Sequence, residues 1–259
     1  MRNLIYLLFF CLSGCNPPSE SVQKEGVRIV SFSPGITNTL IDSGYGEQIV
    51  GRSSFCFYAD QSIPVVGDLL TIDYERLLRL SPTHVFVQQT TAGIDEHLLA
   101  LATQANFELH AWSLDSIADI QLMFSEITEL LGSKRLEFEI PNVNNNSVPE
   151  PILVIMRGME GGAGLSFGQG TYIDDLMQMM KLENALNQSL WVSLSLEDIG
   201  RLNPKLIVVV SDVAIPEGSL IGVRSLGIPV LPFVHKHVLV PSSYIDDVAT
   251  EFQEMLNNL

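Results

Sequence analysis

The sequence predicts an α/β protein: two Rossmann-like lobes with parallel sheets, joined by a connecting helix, with a ligand cleft between the lobes. Three observations predict it. The stretch at 73–87 recurs loosely at 195–209, with Glu75 matched by Glu197, Leu80 by Leu202, Pro82 by Pro204 and Val87 by Val209, always 122 positions later. That distance is far longer than a solenoid repeat and marks two lobes of one design. Short β-branched runs alternate with amphipathic stretches in both halves, the pattern of parallel sheets covered by helices. A single run of helical spacing lies between the halves. Two lobes leave a cleft, and clefts between lobes hold small ligands.

The first lobe is assigned to 27–112. Residues 28–32 read as a buried strand. Ser33 and Pro34 then suit the N-cap and first position of a helix with Ile36, Leu40 and Ile41 on its apolar face. Residues 49–52 form the next strand, 53–60 its exit loop and 64–68 a third extended piece. Asp73 caps the helix that carries Glu75, and Pro82 ends it. A strand at 85–87, a loop at 88–93, a helix at 94–106 and a strand at 107–112 complete the lobe. The connector is assigned to 113–150. Leu114, Ile117, Ile120, Met123, Phe124, Ile127, Leu130 and Leu131 give it helical spacing, Gly132 breaks it unless Leu136 and Phe138 extend it, and 141–151 is a turn-rich linker. The second lobe, 151–259, repeats the grammar. It has a strand at 151–156, a Gly-rich loop at 157–170, a helix at 171–180, a helix capped by Ser195, strands at 206–210 and 229–234, and a closing helix at 245–256.

The 259 residues carry 46% hydrophobic side chains and a formal net charge of −16. Such a chain fills its cores but offers no clustered Lys and Arg for phosphate, so a nucleic-acid partner is excluded. Residues 1–15 stand apart from the fold. Arg2 precedes an apolar run at 4–12, too short to span a bilayer. Leu12-Ser13-Gly14-Cys15 then resembles a bacterial lipobox, in which Cys15 carries the lipid. Residues 16–26 read as a flexible tether. The chain is therefore expected to be an extracytoplasmic, membrane-anchored lipoprotein, in the periplasm or at the cell surface, and a monomer. Of three cysteines, Cys11 leaves with the signal and Cys15 is lipidated. Cys56 then has no disulfide partner and reads as a small buried hydrophobe.

Several motifs together resemble one family. Arg28-Ile-Val-Ser-Phe-Ser-Pro-Gly-Ile-Thr-Asn-Thr-Leu40, Val50-Gly-Arg-Ser-Ser-Phe55, Val66-Gly-Asp68, Thr171-Tyr-Ile-Asp-Asp-Leu-Met177 and Leu194-Ser-Leu-Glu-Asp-Ile199 with Asn203-Pro204 are similar to the helical-backbone solute-binding proteins of ABC importers, which take vitamin B12, ferric siderophores and haem. The resemblance covers 27–112 and 151–259. It implies two lobes joined by one helix, little hinge motion and a shallow cleft. It further implies that Glu75 and Glu197, one on each lobe, dock onto arginines of a dimeric permease that works with an ATPase. Positions where the B12 binders carry tryptophans are Leu69 and Gln88 here, which weakens a corrinoid assignment. The connector is several turns shorter than is usual in the family.

Cleft candidates follow from the ends of the predicted strands. Arg52 and Arg157 each follow a buried strand and suit the anionic groups of a chelate. Phe55, Tyr58 and Trp191 offer aromatic faces. Leu69, Gln88, Phe167 and Lys236 lie in loops expected to line the cleft. His235 and His237, two apart on a strand, would share a face and make a weak metal or haem-iron site, with a solvent-facing loop as the simpler reading. No resident cofactor is expected. The Gly-rich loop lacks the ending of a phosphate-binding loop, and no nucleophile or paired-carboxylate constellation stands out, so an enzyme is not expected. The expected function is a lipid-anchored binding protein delivering a metal chelate, whether ferric siderophore, haem or cobalamin, to an ABC importer. Alternatives are a non-transport scavenging lipoprotein on the same scaffold and an extracytoplasmic enzyme.

Overall fold

The computed structural model describes residues 26–132, 148–157 and 164–259; the signal, Cys15, most of the tether and most of the linker lie outside them. The first lobe contains β1 (Ile29–Ser31), α1 (Pro34–Asp42), β2 (Ile49–Ser53), β3 (Val65–Gly67), α2 (Tyr74–Arg79), β4 (His84–Gln88), α3 (Glu96–Ala105) and β5 (Glu108–Trp112). Its sheet has the order β3-β2-β1-β4-β5, with every pairing parallel. After α4 (Ile117–Leu131), the second lobe contains β6 (Ile152–Met156), β7 (Leu165–Phe167), α5 (Tyr172–Met179), β8 (Trp191–Ser193), α6 (Leu196–Leu202), β9 (Leu206–Ser211), α7 (Ile221–Arg224), β10 (Val230–Val234) and α8 (Ile245–Asn257). Its sheet runs β10-β9-β6-β7-β8.

The two orders are the same pattern, with β6 in the place of β1 and β9 in the place of β4. The sequence repeat falls on α2–β4 and α6–β9, the helix and central strand that each lobe inserts in the same way. The lobes differ at one step. From β1 to β2 the chain crosses over through α1 and returns parallel. From β6 to β7 only residues 157–164 are available, too few for a crossover, and β7 pairs antiparallel with both β6 and β8. The second sheet is therefore mixed rather than parallel throughout, and the predicted loop at 157–170 contains a strand.

Helix ends follow local chemistry. Asp73 accepts from the Arg76 N–H and Asp95 from the Leu98 N–H, and Ser195 forms a reciprocal capping box with Asp198. Ser33 sits at the N-cap of α1 but makes no capping bond; its hydroxyl donates to Gln88 Oε1 at 3.0 Å instead.

Each lobe has an outer core of its own. Val30, Val85 and Leu98 belong to the first, and Leu153, Val209 and Ile199 to the second. A third cluster joins them, running from Ile36 and Leu40 of α1 through Ile120 and Ile127 of α4 to Leu176 of α5, Val208 of β9 and Phe252 of α8. The α4 helix is 15 residues long, about 22 Å. Its Ile117 N–H donates to Asp175 of α5 at 2.9 Å, which pins its start to the second lobe.

Candidate functional site

In each lobe the loops that follow the strands' C-terminal ends are where an open sheet binds its ligand. The loop after β2 is built around Arg52, which is buried. Its guanidinium donates to the Ser53 and Ile63 carbonyls at 3.2 Å and to Gln61 Oε1 at 2.8 Å. The Gln61 amide in turn donates to the carbonyls of Phe57 at 2.9 Å and Ala59 at 2.7 Å. Arg52 thus points into its own loop, and the expectation that it faces a ligand is corrected. Burial of an arginine demands that its donors be satisfied, and the loop carbonyls satisfy them.

This staple holds Phe55, Phe57 and Tyr58 outward. Phe57 is 65% exposed, and its ring meets that of Phe55 edge to face at 6.5 Å. Cys56, between them, turns inward beneath Thr37, and burial raises its thiol pKa. The next loop, after β3, adds Leu69 and Leu70. Leu70 is 90% exposed. Asp68 fixes the turn by accepting from the Leu70 and Thr71 N–H groups. Gly67 precedes it at φ +128°, where a Cβ would lie 2.1 Å from the Thr71 carbonyl. Leu69 and Gln88 line one small pocket with Thr90 and Asp95. Exposed apolar side chains gathered on adjacent loops mark an interaction surface.

Facing this rim across the seam are residues 235–244. His235 and His237 are buried, at 7% and 4% exposure, so neither a strand face nor a solvent loop describes them; they lie in the turn that follows β10. His237 stacks on Tyr244 at 4.2 Å and meets the Tyr58 ring at 5.1 Å. Its Nδ1 lies 3.2 Å from the side-chain amide of Asn38 in α1. Burial pushes the imidazole pKa down to about 4, helped by Lys236 and His235. Tyr58 is shifted upward by burial and then by the charge of Asp212, at the end of β9. Tyr58 thus joins a loop of the first lobe to the second lobe.

The remaining candidates divide. Arg157 follows β6 and is exposed, as is Lys236, whose Nζ lies 6.0 Å from the centre of the Tyr244 ring. Phe167 is fully buried, and Trp191 packs on it at 4.7 Å and on Tyr172 at 6.0 Å. Phe167 is thus a core residue of the β7–β8 pair, a correction to its reading as a cleft contact, and Trp191 is a partly buried residue at its edge. Asn38, Asp212 and Tyr244 were not singled out from the sequence. The C-terminal end of β9 was the available signal for Asp212; nothing local marked the other two, since α1 and α8 come together only in the folded chain.

Glu75 and Glu197 occupy the same place in their lobes, the first turn of α2 and of α6. Both are strongly exposed, and each pairs with an arginine one turn on, Glu75 with Arg79 at 3.2 Å and Glu197 with Arg201 at 2.6 Å.

With this geometry in place, comparison with known proteins is informative. No protein-family profile matches the chain. An uncharacterized ABC transporter substrate-binding lipoprotein of Bacillus subtilis, YvrC, is 21% identical over 209 residues, 74% of this chain and 66% of that protein. The match thus spans slightly less than two thirds of that relative. Among solved structures, the periplasmic haem-binding protein RhuT from Roseiflexus sp. RS-1 superposes with a TM-score of 0.65 at 19% identity, covering 90% of this chain and 98% of its own. The periplasmic vitamin B12 binding protein BtuF of Vibrio cholerae gives a TM-score of 0.61 at 17% identity, covering 89% and 96%. The fold is that of the ABC-importer solute-binding proteins. In this fold the exposed rim belongs to the first lobe and His237 to the second, while the two glutamates sit on matching helices of both.

Proposed function

We propose that the chain is the substrate-binding component of an ABC importer and captures a metal chelate that has a broad apolar face and anionic edges, haem before cobalamin or a ferric siderophore. The observation that carries this reading is the stapled rim of Phe55, Phe57, Tyr58, Leu69 and Leu70, held exposed opposite the seam. A flat macrocycle buries such side chains on one face, and Arg157 and Lys236 supply cations for carboxylates. Cys15, in the lipobox-like Leu12-Ser13-Gly14-Cys15, anchors the protein by lipid, which holds a folded domain at the membrane surface. The domain acts as a monomer that binds rather than transforms its ligand.

Titration of the purified full chain with haemin, cyanocobalamin and a ferric catecholate, followed by absorption, tests the reading. Saturable binding of haemin at one equivalent, weakened at least about tenfold by Phe57→Ala with Tyr58→Ala, is expected. Preference for another of the three replaces the ligand, and binding of none overturns the reading. A scavenging lipoprotein without a permease is the second reading, motivated by the short α4. It predicts ligand binding with no loss of uptake when Glu75 and Glu197 are changed.

A further inference from the structure

A cluster remains at the opposite end of the first lobe from the cleft. Neighbouring strands β4 and β5 place His84 beside Glu108 and Phe86 beside His110. Side chains two apart on a strand share a face, so His84, Glu108 and His110 converge. Glu108 Oε2 lies 3.9 Å from His84 Nε2 and 3.4 Å from His110 Nε2, and the three ligand atoms all fall within 4.8 Å of one another. Ligand atoms held at about 2.0–2.1 Å around a tetrahedral ion sit about 3.4 Å apart. Small side-chain rotations would bring the trio to that spacing.

The surroundings favour ligation. Thr83 accepts from the Arg28 N–H, and its hydroxyl lies 3.2 Å from the Arg28 carbonyl oxygen. His84 Nδ1 lies 2.7 Å from the same hydroxyl, a contact that fixes the ring with Nε2 toward Glu108 at 3.9 Å. A hydrogen-bonded second nitrogen of this kind orients histidine ligands. His110 Nε2 is shielded from solvent and makes no hydrogen bond among the described residues, with Glu108 Oε2 at 3.4 Å beside it; an ion between the two would satisfy it. The imidazoles lie nearly parallel at 6.0 Å, and His110 stacks on Trp112 at 5.9 Å and meets Phe86 edge-on at 5.2 Å. Those contacts hold the ring in place. Four residue steps along β4 take the chain from His84 to Gln88 at the cleft end, about 13 Å.

We propose that His84, Glu108 and His110 bind a divalent transition-metal ion of the zinc type, as a site separate from the cleft. Two imidazoles and one carboxylate suit zinc, nickel or copper and not calcium or magnesium, which require shells of oxygen. Three protein ligands leave one position open, and the ion ties the edge strand β5 to β4. A formal charge of −16 raises the local concentration of cations.

The full chain, stripped with a chelator, is titrated with Zn²⁺ by calorimetry and with Cu²⁺ by fluorescence. The chain has two tryptophans, and Trp191→Phe leaves Trp112, stacked on His110, as the reporter. One equivalent bound at micromolar affinity, Cu²⁺ quenching of Trp112, and at least about tenfold weakening by His110→Gln or Glu108→Gln are expected, with no response to Mg²⁺. Glu108 is 63% exposed, so its variant keeps the fold, checked by circular dichroism. Unchanged affinity in Glu108→Gln, absence of saturable binding, or loss of binding through His237→Gln in place of His110→Gln overturns the proposal.

Discussion

Arg52 and His237 show how one side chain, buried for its own reasons, sets the site around it. Arg52 organises the rim without touching a ligand, through Gln61 and the loop carbonyls. Arg52→Ala leaves those carbonyls without a donor, at a cost of about 1–3 kcal/mol, and lets the aromatic loop relax. Equilibrium urea unfolding should show the loss, and chelate affinity should fall with it. Gln61→Ala should act in the same direction, and the double variant should cost less than the sum because both remove one network. His237 has the opposite logic. Its pKa is about 4 in the folded chain against about 6.5 unfolded, so between those values the unfolded chain binds more protons. Stability is then fully present above pH 6.5 and declines as pH falls toward 4, by about 3 kcal/mol at most from this residue. Lys236 and His235 reinforce the shift, while Asp247 and Asp42 oppose it. Unfolding midpoints measured from pH 7 to 4 should fall more steeply in the native chain than in His237→Gln.

Among elements, α1 makes a close junction with the second lobe. Gly35 opens its first turn against the second lobe, and a Cβ there would lie 2.2 Å from the Pro241 carbonyl oxygen and 3.0 Å from Leu114. The obstacle is backbone, which cannot rotate away as a side chain does. Gly35→Ala should therefore force α1 off the 241–243 segment, break the Ser243 bonds to Thr39 and Asp42, and destabilise by about 1–3 kcal/mol, read as a lowered thermal midpoint. The same helix shows what a sequence can disclose. Its cap position, first-turn proline and apolar face were legible, because they are local. So was the α2–β4 and α6–β9 repeat, whose hydrophobic pattern and caps survive in both lobes. The β7–β8 pair was not, because two three-residue strands carry too few side chains for a period and their pairing partners lie far along the chain. The inward turn of Arg52 and the burial of His235 and His237 were illegible for a related reason. A strand position tells which way a side chain starts, while the carbonyls and rings that receive it come from other segments. His84, Glu108 and His110 lie on strands that were legible or nearly so, but which two strands are neighbours is a topological fact.

At the scale of the whole molecule, the third core cluster is continuous from α1 through α4 and α5 to α8, so the short connector does not leave two loosely tethered lobes. On the proposed function, such a body would hold Glu75 and Glu197, in matching first turns of α2 and α6, ready for two similar subunits of a permease. Neither glutamate is committed to its present partner. The pairs with Arg79 and Arg201 are exposed i,i+4 contacts, worth about 0.5 kcal/mol or less, and exchange easily for arginines across an interface. Replacing Glu75 with Gln should leave folding and chelate affinity unchanged, since the residue touches neither core nor rim, but should lower uptake in cells about five- to thirtyfold, the equivalent of 1–2 kcal/mol in docking. Glu197→Gln should do the same, and the double variant should abolish uptake while still binding ligand in solution. Raised ionic strength should weaken association of the native chain with permease vesicles and have little further effect on the double variant. Uptake that survives both substitutions would mean that the paired corners have no permease to meet, and would favour a scavenging role for the same fold.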